Sequence, residues 1–508
     1  MPISHSGSLY QLIKSLTKAE KRNFKLYAKR NQAADTLKFI ELFDLIDKQK
    51  EEDDAQTFEK LKQVNKTQYA NLKRHLYGQI LVSLRLIHKT KRANIKVREY
   101  IDFAYILYGK GLYLQALKIL QIAKREAFKH HLKFTHLTIV EFEKLIETRH
   151  ITRSGLPKAK QLVEETNELN VAISNAIFLS NLRTEIHGRY IDQGHIKDEA
   201  DRAQLVKEFL PKLQMKNEAA LGPIEKIYLF QSYVWYACTQ MDFHSCLKYA
   251  KKWVHTFEED KELLSRDVDL YMRGYHYLLT ACYHIADLES LEKFLTQIEH
   301  FRKLNYKKLN SNSQIISFLY VHSGRLNRII LSGEFDKGLE AIPRTLRRIN
   351  RYQDKLDNHR ILVFYFKIAF LYFGAGKIKL TVKYLQYIIN NEMNLREDLQ
   401  AYARLMYLMC LCENNDFGSI KYLLKTYQPF FKKIKHRNQL QRIALNLFQD
   451  LVKAVPYEHR PILEKYLSDL EQLKKDPYLQ IAFNYLDLYS WLKSKITNKS
   501  LSQIISKR

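Results

Sequence analysis

Glycine and proline are scarce in this 508-residue chain, at 15 and 9 residues. That is about 5 % of the total, against roughly 12 % in average usage. Sandwiches and barrels need many tight turns, so the shortage argues against both, and against a disordered chain. Cysteine is sparse too: Cys238, Cys246, Cys282, Cys410 and Cys412 are odd in number, lie in apolar runs and form no CxxC. Such usage fits a reducing compartment rather than a disulfide framework. The longest apolar run, 361–373, is broken by Lys367 and too short to cross a bilayer. The first residues lack the charged and apolar blocks of a signal peptide. A cytoplasmic protein with no membrane partner is the expectation.

Catalytic signatures are missing as well. Gly374-Ala-Gly-Lys377 resembles a phosphate loop only until Leu371, where the first glycine should stand, and Ile378, which follows the lysine. GxGxxG, HExxH and GxSxG do not occur. Glu147 and His150 form one ExxH pair, whereas a di-iron bundle needs two pairs and further glutamates. Cys238, His244 and Cys246 lie close together, but both cysteines fall on repeating apolar positions, where Cys acts as a small hydrophobe. The sequence therefore predicts no cofactor, no metal and no catalytic residue; an enzyme with dispersed groups is a distant third reading.

What the chain does have is a repeat. A turn residue is followed at +2 by an aromatic or aliphatic residue, then by apolar or small residues at +5, +9 and +12. It reads Gly111-Leu-Tyr113, Met241-Asp-Phe243, Ala286-Asp-Leu288, Gly333-Glu-Phe335, Gly376-Lys-Ile378 and Asn415-Asp-Phe417. Spacing of about 39 to 47 residues means helical hairpins that bury their apolar faces against neighbours. Tyr365, Ile368, Ala369 and Tyr372 mark one helical face before the Gly374–Gly376 break; Ile378, Thr381, Leu385 and Ile388 mark the next. Tyr100, Phe103, Ala104 and Leu107, then Tyr113, Ala116, Leu120 and Ala123, repeat the pattern.

Here the chain resembles the tetratricopeptide-like family of α-solenoids, over roughly residues 100–455. Residues 230–253 also follow the family pattern, through Phe230, Tyr233, Ala237, Phe243, Cys246 and Ala250. The unit around Gly333 departs from it, with His322, Arg325 and Pro343 at positions normally apolar, and the strict 34-residue period is not kept. About three units should fill 111–241, with weak breaks near Gly155 and Gly194. The resemblance implies an all-α, right-handed stack of helical hairpins with a concave surface for a peptide or protein.

Three segments follow. Residues 1–95 form a basic helical N-terminal domain, in which Thr17 to Glu20 is a capping box opening a helix through about Lys29. Residues 96–455 form the solenoid. Residues 456–508 hold capping helices, with Tyr478 to Lys495 amphipathic, and a basic tail from Lys493 onward.

Charge points to partners. There are 83 Lys and Arg against 55 Asp and Glu, a net +28, which concerns binding and solubility rather than fold. Arg344, Arg347, Arg348 and Arg351 recur at i, i+3, i+4 and i+7, so four guanidiniums share one helix side and repel unless a counter-charge is present. That counter-charge is either an acidic partner or acidic residues of a neighbouring repeat. Residues 55–81 resemble a helix-turn-helix carrying Lys62, Lys66, Gln68, Asn71, Lys73 and Arg74 as candidate DNA contacts. Equally, its apolar stripe Tyr69, Leu72, Leu76 and Ile80 could dock on the first repeat. Two functions are carried forward: a non-enzymatic scaffold for an acidic protein segment or an RNA–protein assembly, and a DNA-binding regulator with a tetratricopeptide-like sensor.

Overall fold

The computed structural model describes residues 5–30, 35–61, 64–90, 92–150, 155–390, 397–433 and 438–507. Among them there are helices and no strands. The chain divides into two compact units, residues 1–173 and 174–508.

The first unit opens with α1 (His5–Ser15), α2 (Lys18–Arg30), α3 (Asp35–Lys48), α4 (Asp54–Lys60) and α5 (Lys66–His88). Thr17 caps α2 as its sequence demands: the Glu20 N–H donates to Thr17 Oγ1, and the Thr17 N–H to Glu20 Oε2. Leu9, Ile13, Phe24, Leu42, Phe43, Leu76 and Ile80 make one core among these helices. A second core joins α6 (Ala93–Gly109), α7 (Tyr113–Lys129) and α8 (Lys133–His150). Ala104 and Ala116 are fully buried where α6 meets α7. Of the ExxH pair, His150 is engaged in packing: its ring stacks on Tyr113 at 3.9 Å and its Nε2 meets the Tyr108 hydroxyl at 3.1 Å. Gly155 and Gly194 each lie at a break, but between them lies one uninterrupted helix, α9 (Leu156–Gln193), not a hairpin. No turn residue with a left-handed backbone interrupts it, so nothing reverses the chain.

In the second unit the hairpins follow the turn residues closely. Gly111, Met241, Ala286, Gly333, Gly376 and Asn415, one in the first unit and five in the second, all take positive φ, between 55° and 75°. In each case the residue at +2 is the first of the following helix. The physical reason is local: a left-handed residue ends one helix, and the next residue takes the N-cap position of the other, with a capping side chain at three of the six turns. Asp242, Asp287 and Asp416 accept the N–H of Ser245, Ser290 and Ser419 at 3.0, 2.9 and 3.0 Å.

The helices are α10 (Glu199–Gln214), α11 (Pro223–Thr239), α12 (Phe243–Glu259), α13 (Lys261–Arg266), α14 (Val268–His284), α15 (Leu288–Asn305), α16 (Ser311–Ser332), α17 (Phe335–Gly338), α18 (Ala341–Arg351), α19 (Asn358–Gly374), α20 (Ile378–Ile389), α21 (Glu397–Glu413), α22 (Phe417–Lys433), α23 (Gln439–Lys453) and α24 (His459–Leu473). Within hairpins α11 packs on α12, α14 on α15, α19 on α20 and α21 on α22. Between hairpins α14, α16, α19, α21 and α23 pack successively, one on the next. One continuous hydrophobic core results. The departure after Gly333 is visible: its second helix is split into the one-turn α17 and α18. Pro343 lies in the first turn of α18, where its missing N–H costs nothing.

The C-terminal segment differs from a free basic tail. After α24 come α25 (Gln480–Tyr485), α26 (Leu488–Thr497) and α27 (Leu501–Ile505). They run back along the hairpins as a strap. Asn484 Nδ2 meets His284 Nδ1 at 2.6 Å, Trp491 Nε1 donates to Glu413 at 2.7 Å, and Ser502 Oγ donates to the Gly333 carbonyl at 2.5 Å. Leu501, Ile504 and Ile505, an i, i+3, i+4 set amid lysines, are buried there.

Candidate anion-binding surfaces

The arginine stripe sits on α18. Arg344, Arg347 and Arg351 are exposed and Arg348 is half-buried, while Ile342, Thr345 and Ile349 face inward. Among the described residues none of the four arginines has a carboxylate within ion-pair distance; Arg347 Nε reaches the Pro343 carbonyl at 3.4 Å, and Arg351 lies over the Tyr352 ring. Neutralisation by a neighbouring repeat is therefore not found there.

Arg348 instead turns toward α15 and α16. Its Nη1 lies 3.4 Å from the Tyr306 hydroxyl and 3.5 Å from that of Tyr352. Arg302, from α15, lies over the same Tyr306 ring with 5.4 Å from its Cζ to the centroid. Arg325, from α16, pairs with Glu299 at 2.5 Å. These groups, with Thr296, His300 and Lys303, line an open cleft of about 500 Å³. The concentrated positive charge is felt by its neighbours. Burial, then Arg325, Arg302 and Arg348, pushes His322 down to about 3, and its Nδ1 meets Thr345 Oγ1 at 2.9 Å. Tyr306 is lowered against burial by the Tyr352 hydroxyl and then Arg348.

A second basic tract lies on the other side of α16, because Tyr320 and Ser323 point away from the face carrying His322 and Arg325. Lys367 of α19 donates from Nζ to Ser323 Oγ at 2.6 Å. The His276 ring of α14 stacks on Tyr320 at 4.6 Å. Burial pushes Lys367 down to about 8. Burial, and then the charges of Lys367, Arg360 and Arg273, pushes His276 down to about 3. The tract continues through Tyr277 and Trp235, whose rings meet edge-on at 5.6 Å. It ends at Arg183 of α9, which donates to Gln231 at 2.9 Å and lies over the Tyr228 ring. Among the described residues no carboxylate is within ion-pair distance of Arg183, Arg273, Arg360 or Lys367. Sequence reasoning missed this tract and met Lys367 only as a break in an apolar run. A signal was present: Gln231, His276 and Tyr320 recur 45 and 44 residues apart, as Ser323 and Lys367 do 44 apart, at one phase of the repeat.

The N-terminal candidates separate. Lys66, Gln68, Asn71 and Arg74 are exposed on α5, and Lys62 lies outside the described residues. Gln68 is engaged in a capping box with Asn65. Lys73 is turned inward: it is buried, bonds both oxygens of Asp54 at 2.9 and 2.8 Å, and lies over the Tyr69 ring. Its charge is already met within the protein.

The five cysteines are buried thiols, with Cys238 and Cys246 sulfurs 3.1 Å apart in the core. No helix among the described residues is long and apolar enough to cross a membrane. No known protein family, curated protein or solved structure matches this chain.

Proposed function

We propose that the protein is a non-enzymatic scaffold or adaptor, a right-handed tetratricopeptide-like solenoid whose basic surface holds an acidic macromolecular partner. The observation that carries this reading is the tract of Arg183, Arg273, Arg360 and Lys367, which among the described residues has no carboxylate within ion-pair distance. Arg273 and Arg360 are exposed, whereas burial pushes Lys367 down to about 8. Unpaired charge drawn away from water is costly, and an anionic ligand at Lys367 would recover that cost on binding. Between the two partner classes the aromatic groups favour a protein segment. Bases stack on free ring faces, whereas Tyr277 and Tyr320 are buried and occupied by Trp235 and His276. Exposed Arg344, Arg347 and Arg351 would add rim attraction and speed encounter.

The test is binding of a fluorescent glutamate-rich peptide by the full chain, with Arg273→Glu and Lys367→Glu as charge reversals. Saturable binding that weakens with salt and is lost in both variants supports the reading. Equal binding by wild type and variants, or none at moderate salt, removes it. The DNA-regulator alternative rests on exposed Lys66, Asn71 and Arg74. A duplex DNA mobility shift abolished by Arg74→Ala, with no peptide binding, would favour it.

A further inference from the structure

The cleft between α15, α16 and α18 has a different character from the tract across α16. Three guanidiniums from three helices, with Lys303, face a single lining carboxylate, Glu299. Glu299 is already engaged by Arg325, so Arg302, Arg348 and Lys303 are left without an acidic partner in the cleft. Arg302 Nε is buried from solvent and has no hydrogen-bond acceptor. Arg348 finds only two phenol oxygens, at 3.4 and 3.5 Å, which is long for a charge-assisted bond. Two arginines thus share one face and one edge of Tyr306, against their mutual repulsion, with their donors under-used.

A guanidinium fork suits an oxyanion with several oxygens, and paired forks with a nearby ammonium suit more than one negative charge. A single carboxylate would leave most of this charge unmet. The volume lies within the range of small-ligand pockets, roughly 300–1,000 Å³, and exceeds the needs of one atom-sized ion. The Thr296 hydroxyl and the His300 imidazole at the cleft wall supply further polar contacts for oxygen atoms.

We infer that this cleft is a binding site for a small phosphate-bearing ligand with at least two phosphoryl groups, held by Arg302, Arg348 and Lys303 and backed by Tyr306. The site does not depend on the tract around Lys367, which faces the opposite side of α16. The two can succeed or fail separately.

Isothermal titration calorimetry of the full chain with pyrophosphate tests it, beside inorganic phosphate, adenosine triphosphate and a ten-residue glutamate peptide, at about 0.15 M salt. One pyrophosphate per chain is expected, bound more tightly than inorganic phosphate. Arg302→Gln and Arg348→Gln should each weaken it about tenfold or more, and Lys367→Gln should leave it unchanged. Adenosine triphosphate binding at least as well as pyrophosphate would identify a nucleotide as the source, and weaker binding a free oligophosphate; either supports the site. Circular dichroism of each variant, with Arg348→Lys as a milder change, separates lost binding from lost fold. Absence of pyrophosphate binding to wild type overturns the inference. So does binding indifferent to both arginine variants, or a glutamate peptide displacing pyrophosphate from the cleft with higher affinity.

Discussion

The ring of Phe335 lies directly against the bare backbone of Gly374: a methyl group added there would stand 2.5 Å from the ring carbons Cγ and Cδ2. Phe335 is 1 % exposed and opens the split helix after the Gly333 turn, while Gly374 closes α19. One hairpin therefore seats its aromatic on the next through a missing side chain. Gly374→Ala should destabilise by about 1–3 kcal/mol, the range for overpacking a rigid core. Thermal unfolding would register this as a lowered Tm. An unchanged Tm would mean the ring moves aside freely.

At Lys367 the proposed binding of an acidic partner is set against stability. Its folded value, about 8, lies below the 10.5 of an ordinary lysine, so the native state disfavours the charged form. Stability is depressed throughout the range below about 8 and recovers as pH rises toward the unfolded value. Lys367→Met should be more stable than wild type at pH 7 by about 1 kcal/mol. The gap should narrow between pH 8 and 10, while acidic-peptide binding is weakened. Denaturant unfolding at the two pH values measures the first claim and fluorescence polarisation the second.

His322 predicts acid sensitivity. Its folded value, about 3, lies below the 6.5 of an ordinary histidine. The unfolded chain therefore takes up a proton below pH 6.5 that the native state refuses until about pH 3. Stability falls as pH drops through that window, by about 2 kcal/mol at pH 5 from this residue. His276 and His284, both pushed to about 3 chiefly by burial, act in the same direction. His322→Gln should lose less stability than wild type between pH 7 and pH 5. Equal losses would show that His322 does not contribute.

On α5 two adjacent basic residues should behave differently. Lys73→Ala removes the ammonium bonded to both oxygens of Asp54 and lying over the Tyr69 ring, and leaves Asp54 with the Tyr69 hydroxyl as donor; it should cost about 1–2 kcal/mol of stability. Arg74→Ala touches an exposed side chain and should change stability by less than about 0.5 kcal/mol. Any effect of Arg74→Ala on DNA affinity is then a binding effect, whereas one from Lys73→Ala must be read together with its Tm.

The strap offers a fifth measurement on stability. Trp491 is 2 % exposed and donates to Glu413. Trp491→Ala should cost about 3–5 kcal/mol and render residues after 485 sensitive to protease, as followed by mass spectrometry of the fragments. Resistance equal to wild type would show that the strap holds without this anchor.

Turns and helix starts were written locally. Six positions, from Gly111 to Asn415, were readable because a left-handed residue and an apolar residue at +2, joined at three of them by a capping Asp, act within one turn of chain, with no need of distant contacts. The same locality explains the Thr17 cap and the amphipathic faces of α19 and α20. Which charges are satisfied could not be read that way. Lys73 and Arg74 are neighbours in sequence, yet α4 brings Asp54 to one and leaves the other in solvent. The stripe on α18 was visible, but Arg302 and Arg325 join Arg348 only because α15 and α16 pack beside it. Lys367 bonds Ser323 and its charge acts on His276 across three hairpins, and the strap returns 200 residues to His284. Each of these depends on chain segments far apart, whose approach follows from burying a shared core and not from any local pattern.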